Sequence, residues 1–350
     1  MSCRVTSDQP WGPLPLSPGA TTTFDPSCRV RADPSPGPSE CWSAVSEVLP
    51  RSYAAPEPRR RVRDVLKTYL ALTKPRVIEL LLITTVPAMI LADEGMPKLW
   101  LVVAVLFGGA LAAGGANTIN CWIERDRDQV MRRTQNRPLA TGAVDPTSAL
   151  VFGIVLNVIA FAVLWSTANL LAACLTLSAT LFYVFVYTIW LKPRSPQNIV
   201  IGGAAGAVPA LVGWAAVTGS LAWPAWVMFA LVFVWTPPHF WALAMRYRED
   251  YAAAGIPMLP VVKGDAATAR QIFVYSWIVV AVSFTLGLTT TVGPVYLVSA
   301  AVLGIMFIWG ALQLMRVPDP TRAIRYFGFS NVYLAALFVA IAVDTLVRNA

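Results

Sequence analysis

The chain has 350 residues, of which 56% are hydrophobic and 13% charged, with a mean hydropathy of +0.59 and a formal net charge of +8. Soluble domains carry about 25% charged residues, so this balance excludes an ordinary globular domain and points to a membrane protein. No basic patch alternates with exposed aromatics, which excludes a nucleic-acid partner as the reason for the positive charge.

Residues 1–60 hold 11 of the 27 prolines, many serines and no apolar periodicity. They read as a disordered Pro-rich tail, separate from a membrane-embedded domain over 61–350. The tail lacks the apolar core of a secretory signal. Its acids, Asp8, Asp25, Asp33, Glu40, Glu47 and Glu57, are unlike a mitochondrial transit peptide. A bacterial cytoplasmic membrane is the expected location. Three of the five cysteines fall in the tail; Cys121 is placed on a loop and Cys174 in a helix. None has zinc-site spacing, so free thiols are expected.

From residue 77 onward, apolar runs long enough to span a bilayer recur. Nine are read, over 77–92, 99–119, 147–166, 169–190, 199–217, 222–238, 271–289, 294–314 and 327–347. They lack the period-two alternation of barrel strands, and an isolated strand cannot satisfy its backbone in lipid. The fold class is therefore all-α, a polytopic bundle of about nine transmembrane helices. The first run contains Pro87, and its start is expected before Val77.

Polar residues interrupt this pattern at four places. The first is Lys74-Pro75-Arg76, before the first span. The second is Asn120-Cys-Trp-Ile-Glu124-Arg-Asp-Arg-Asp128, followed by Arg132, Arg133 and Arg137. Steps of four advance a helix by about 40° and rise about 6 Å, so Asn120, Glu124 and Asp128 share one face while Asp126 lies off it. Two readings stand. One is a solvated polar loop with internal ion pairs. The other is a Mg²⁺ site for a bound diphosphate, with carboxylate oxygens on the metal and arginine forks on the phosphates.

The third place is Lys192-Pro-Arg194-Ser-Pro-Gln-Asn198, followed by Gly202, Gly203 and Gly206. The basic pair alone suits a cytoplasmic loop, and the glycines suit close helix packing. The fourth is Trp235-Thr-Pro-Pro-His239-Phe-Trp, followed by Arg246 and Asp250. The two prolines are expected to break the helix just before His239, the sole histidine. At such an end it is a candidate ligand, base or proton shuttle, or else an interfacial histidine capping the helix. Arg246 and Asp250, one turn apart, are able to pair with each other.

Eleven of the 27 Lys and Arg residues precede the first span, and 25 of the 27 fall on one side of the membrane. Only Lys98 and Arg348 fall on the other. This asymmetry puts the N-terminus and all four polar segments in the cytoplasm, and the C-terminus outside. The active site is expected at the cytoplasmic end of the bundle.

Together the four segments resemble the intramembrane aromatic prenyltransferases, whose first motif is Asn-x-x-x-Asp-x-x-x-Asp. Leu72-Thr-Lys-Pro-Arg76, Arg133-Thr-x-x-Arg137-Pro-Leu, Lys192-x-Arg194-x-Pro-Gln-Asn198 and Asp250-Tyr-x-x-Ala-x-Ile256-Pro-Met-Leu-Pro-Val-Val resemble the haem-farnesylating branch of that family. The likeness covers residues 65–345. The chain departs from the family in one respect: Glu124 stands where the family has its middle aspartate, which implies an altered metal shell. Quinone-type members carry a second Asp-rich motif where this chain has His239 and Arg246, so a second full metal site is in doubt and a different acceptor is implied.

The resemblance implies transfer of a farnesyl group from farnesyl diphosphate to a vinyl of haem b, with addition of water, giving haem O and diphosphate. Haem b is then a substrate and Mg²⁺ the cofactor, held by Asn120, Glu124 and Asp128. Lys74, Arg132, Arg133, Arg137, Lys192, Arg194, Arg246 and Asp250 become substrate-binding candidates. His239 is left to direct water, bind a propionate or ligate iron. The implied partners are the lipid bilayer and, for product hand-over, a haem A synthase or terminal-oxidase assembly protein. A quinone-biosynthesis prenyltransferase is the near alternative. A transporter of anionic lipids is the distant one; its signature would be ionisable groups deep within helices, and here these are few, chiefly Glu79 and Asp344 near helix ends.

Overall fold

The computed structural model describes residues 62–290 and 292–349, the side chains of 76–82 excepted. The expectations for the tail and for Glu79 lie outside the described residues. All regular structure among the described residues is helical. A short helix α1 (Val62–Thr73) leads into α2 (Pro75–Asp93). Then follow α3 (Leu99–Val130), α4 (Pro146–Thr167) and α5 (Leu170–Leu181), the last continuing as a π-helical segment, Phe182–Leu191. The second half comprises α6 (Asn198–Thr218), α7 (Trp223–Arg246), a six-residue helix α8 (Arg248–Ala253), α9 (Leu259–Thr289), α10 (Pro294–Arg316) and α11 (Pro320–Arg348).

Eight of these stretches are long and apolar enough to cross a membrane, counting α5 with its π segment as one. The ninth expected span is α2, which begins before Val77 as its composition required. Proline marks the first turn of α2, α4, α7, α9, α10 and α11, where its missing N–H has no helical partner to lose. Side chains also cap α4 and α11. Asp145 accepts from the backbone N of Ser148 at 2.8 Å, and Asp319 accepts from those of Thr321 and Arg322.

Consecutive spans pack on each other, and α11 returns to contact both α2 and α7, which closes the bundle. Where two backbones approach closely, glycine is required. A Cβ on Gly108 would meet Leu164 at 2.7 Å, and one on Gly115 would meet the carbonyl of Gly153 at 2.6 Å. The core between α7, α9, α10 and α11 is aromatic, with Phe307 and Tyr333 stacked at 4.3 Å and wholly buried. Large apolar side chains such as Trp165, Phe185, Trp277 and Ile305 are exposed around the outside, as faces turned to lipid tails must be.

Asp344, the charge noted inside the last span, is structural. Its carboxylate accepts the backbone N–H of Gly293 at 2.6 Å and that of Tyr296 at 3.1 Å. An anion on α11 thus caps the N-terminus of α10, where the helix dipole favours negative charge.

Three boundaries differ from the sequence reading. Helix α3 does not end at 119. Its 32 residues extend about 48 Å, well beyond a hydrocarbon core of about 30 Å, and the surplus carries the Asn120–Asp128 stripe and Cys121, which is buried in the helix and not on a loop. Helix α7 is not broken before His239. It continues through Pro237 and Pro238 to Arg246, because burial against α6, α9 and α11 outweighs the local penalty of the prolines. Helix α9 begins at Leu259 and turns at Gly264, whose φ of 76° only glycine adopts easily.

Candidate active site

The stripe predicted on α3 is buried at the end of the bundle where α1 meets α2. Asn120, Glu124 and Asp128 are between 2% and 4% exposed. Asp126 points away, 82% exposed, towards Arg125. The solvated-loop reading is therefore wrong for the three stripe residues; Asp126 is solvated, but on the same helix.

Each buried oxygen group is met by a cation from a different segment. Lys74 Nζ donates to the side-chain oxygen of Asn120 at 2.9 Å. The Lys192 ammonium pairs with the Glu124 carboxylate. Nη1 of Arg137 donates to both carboxylate oxygens of Asp128, at 2.8 and 2.7 Å. Three separate basic motifs thus converge on one helix face.

Local geometry aims each cation. Lys74 adopts a left-handed backbone with φ of 53°, immediately before Pro75. Such a conformation costs of the order of 1–3 kcal/mol for a non-glycine residue and persists where surrounding structure holds it. Here it turns the chain sharply between α1 and α2 and carries the amine inward. The π segment does the same for Lys192. Its wider turn lets the backbone N of Lys192 donate to the carbonyl of Tyr187, and Thr188 Oγ1 to that of Tyr183, each five residues back. Thr188 Oγ1 also accepts from Asn120 Nδ2 at 3.2 Å, fixing which end of that amide faces Lys74. Thr134 donates to the backbone carbonyl of Asp128 at 3.0 Å and folds the Arg137 loop back over the helix end.

The charges feel one another. Burial lowers the pKa of the Lys74 amine, whose direct partner is a neutral amide. Burial also opposes the charge on Lys192, but the adjacent Glu124 carboxylate outweighs it and the pKa is raised. Two carboxylates facing three cations leave an excess of positive charge, which suits an anion.

The donor set also fits a hard divalent cation. It offers one amide and two carboxylate oxygens on one buried face, and Mg²⁺ prefers such oxygens. The present partners of those oxygens are all cations, so a metal would replace like with like. Among the described residues no three His, Cys, Asp or Glu side chains gather as a metal cluster. An Asn–Glu–Asp face would have to complete its shell with oxygens from a bound ligand.

The other expected site residues divide. Arg132, Arg133, Arg246 and Asp250 line a second polar cavity of about 610 Å³ with Tyr247, Arg248 and Asp265. Arg133 reaches across it, donating to the Tyr251 hydroxyl at 3.2 Å and lying over the Tyr247 ring. Arg246 and Asp250 do not pair with each other among the described residues; the ion pair there is Arg248 with Asp265 at 3.3 Å. Arg194 is exposed and turned back on the carbonyls of Ile189 and Trp190, so it caps the π segment and leaves the cluster to Lys192.

His239 is neither interfacial nor at a helix end. It is buried in α7, its ring stacked between Trp235 at 4.2 Å and Phe327 at 4.3 Å, with Nδ1 2.6 Å from Ser330 Oγ on α11. Sequence reasoning missed Thr188, Tyr251 and Ser330. Thr188 and Ser330 lie in long apolar helices and Tyr251 in the short charged helix α8, and only contacts across 68 to 118 residues of sequence give them meaning.

A bundle of membrane-spanning helices with a buried Asn–Glu–Asp face ringed by cations is the framework of an intramembrane prenyltransferase. Residues 81–338 match the UbiA prenyltransferase family, and the chain belongs to it. Among curated relatives, the protoheme IX farnesyltransferase 1 of Saccharopolyspora erythraea is 58% identical over 297 residues, covering 84% of this chain and 95% of that one. The protoheme IX farnesyltransferase of Frankia alni is 55% identical, covering 81% and 99%, and that of Mycobacterium tuberculosis is 51% identical, covering 83% and 96%. Solved structures share the fold at low identity. A digeranylgeranylglyceryl phosphate synthase superposes with a TM-score of 0.67 at 19% identity, covering 80% of this chain and 98% of that one. A UbiA homologue from Archaeoglobus fulgidus bound to DMAPP and Mg²⁺ superposes with a TM-score of 0.54 at 18% identity, covering 79% and 99%.

Proposed function

We propose that the chain farnesylates haem b: it transfers the farnesyl group of farnesyl diphosphate to a haem vinyl with addition of water, yielding haem O and diphosphate. The observation that carries this reading is identity above 50% to relatives named protoheme IX farnesyltransferase, across more than four fifths of the chain.

The residues proposed for the chemistry follow from charge. The barrier is departure of diphosphate from an allylic carbon. Asn120, Glu124 and Asp128 would hold Mg²⁺, which when bound neutralises the leaving charge. Lys74, Lys192 and Arg137 now rest on those oxygens. With a metal there, they are free to turn to phosphate oxygens, and the excess positive charge of the cluster favours the anion. Glu124 keeps the carboxylate of the family's aspartate, with one more methylene to span the gap to Lys192. Arg132, Arg133 and Arg246 surround the second cavity and are suited to an anionic group such as a propionate. His239 is assigned to the haem side, because a neutral imidazole is a poor partner for Mg²⁺.

The charge bias along the chain supports a cytoplasmic site and an outward C-terminus. The Pro-rich residues 1–60 are proposed to be a separate tail. The test is incubation of membranes containing the protein with haem b, farnesyl diphosphate and Mg²⁺, followed by mass analysis for haem O. No product with haem, together with turnover of a phenolic acceptor, would replace this reading with a quinone-pathway one. His239→Ala should block haem O formation and leave binding of a farnesyl diphosphate analogue nearly unchanged.

A further inference from the structure

The surroundings of His239 restrict what it can do. Trp235 and Phe327 cover its two faces, so only the edges of the ring can reach a ligand. One edge is occupied, with Nδ1 2.6 Å from Ser330 Oγ. Ser330 is wholly buried and is itself held. Its hydroxyl lies 2.7 Å from the Phe327 carbonyl oxygen, and its own carbonyl accepts the Trp235 indole N–H at 3.0 Å.

A serine hydroxyl has one proton. A carbonyl oxygen can only accept, so the contact to Phe327 is a hydrogen bond only if Ser330 gives its proton there. Placed instead on the histidine side, that proton would leave two oxygens 2.7 Å apart with none between them. The arrangement that satisfies all three atoms has His239 Nδ1–H donating to Ser330 Oγ, and Ser330 donating to Phe327. Nε2 then carries the lone pair, and among the described residues it has no hydrogen-bond partner. Trp235 and Phe327, which clamp the ring, are also the residues that bond to Ser330, so ring plane and proton position are set by one unit.

We propose that Ser330 is a positioning residue: it holds His239 as the Nδ1–H tautomer and so reserves Nε2 as the electron-pair donor of the acceptor half of the site. This rests on the assignment of His239 to the haem side, but the tautomer is measured without haem. His239 is the sole histidine, so full-length protein labelled with ¹⁵N-histidine and purified without a histidine tag gives one pair of ring-nitrogen resonances. The expected spectrum has a pyrrole-type Nδ1 and a pyridine-type Nε2 at neutral pH. Ser330→Ala should erase that preference and lower haem O turnover at least tenfold, with the KM for farnesyl diphosphate unchanged. Ser330→Thr, which retains a hydroxyl, should restore both the spectrum and part of the turnover. A pyridine-type Nδ1 in the wild type would overturn the proposal, as would an unchanged spectrum in Ser330→Ala. If the wild type gave the expected spectrum but no haem O, the tautomer would stand and the haem reading would fall.

Discussion

Asp128 and Glu124 each pair with a protein cation and, in the proposed reading, would also hold a metal; substitutions should separate these roles. Asp128→Asn keeps oxygen and shape beside Arg137 but removes the charge. It should lower haem O formation by about 10²–10³-fold, as loss of one preorganised electrostatic group does, while the protein stays folded in the membrane. Mg²⁺-dependent affinity for a farnesyl diphosphate analogue should fall in parallel. Turnover close to wild type would remove Asp128 from the metal face. Glu124→Asp supplies the aspartate that the resemblance implies for that position and should retain most activity, because Lys192 can follow a carboxylate that retreats by one methylene.

Lys74 differs from its neighbours in titration. Burial lowers its pKa, whereas Glu124 raises that of Lys192, so Lys74 is the first of the two to lose its charge as pH rises. A lowered folded value means the folded chain binds this proton less tightly than the unfolded chain. Its contribution to stability therefore improves as pH rises from the folded value to the unfolded one near 10.4. Activity should go the other way, with an alkaline limb that follows Lys74. Lys74→Arg stays protonated and should move that limb to higher pH in a pH–rate profile. An unmoved limb would assign it to another group.

At the scale of elements, the π segment is the device that brings Lys192 and Thr188 to the α3 stripe, and it depends on α6. Gly202 lies against Tyr187, where an added Cβ would overlap the ring at 2.2 Å. Gly202→Ala should shift Tyr187, destabilise the protein by about 1–3 kcal/mol as overpacking does, and depress activity through the displaced Lys192. Gly206, one turn further along the same helix, has open space around it. Gly206→Ala should leave stability unchanged or raise it by up to about 1 kcal/mol through helix propensity. Thermal unfolding in detergent compares the two, and equal effects would mean that helix propensity, not the Tyr187 contact, is being measured. The sequence alone suggests close packing for all of these glycines. The structure supports that for Gly202 and Gly203, which face Tyr187 and Thr236, and not for Gly206.

For the whole molecule, the expectation that 25 of 27 basic residues fall on one side predicts a fixed orientation. A reporter fused after Ala350 should be active outside the cytoplasm, and one inserted at residues 141–143 should be active inside. The inverted pattern would move every site residue to the outer face.

Composition and period alone determined that this is an all-helical membrane protein, because 20-residue apolar runs have few other solutions in lipid. Spacing determined that Asn120, Glu124 and Asp128 share a face, since helical geometry is local. The tertiary structure decided the rest. Nothing in Lys74, Lys192 or Arg137 marks them as partners of that face, and their pairing depends on how three loops close over the end of α3. The prolines before His239 read as a break, yet packing on three sides keeps α7 continuous and puts the ring in the core. Ser330 is an ordinary letter in an apolar helix until α11 lies beside α7. Local sequence dictates most of the helices and their faces; the continuity of α7 through its prolines, the proton positions and the charge pairs come from contacts distant in sequence, and only the closed bundle creates them.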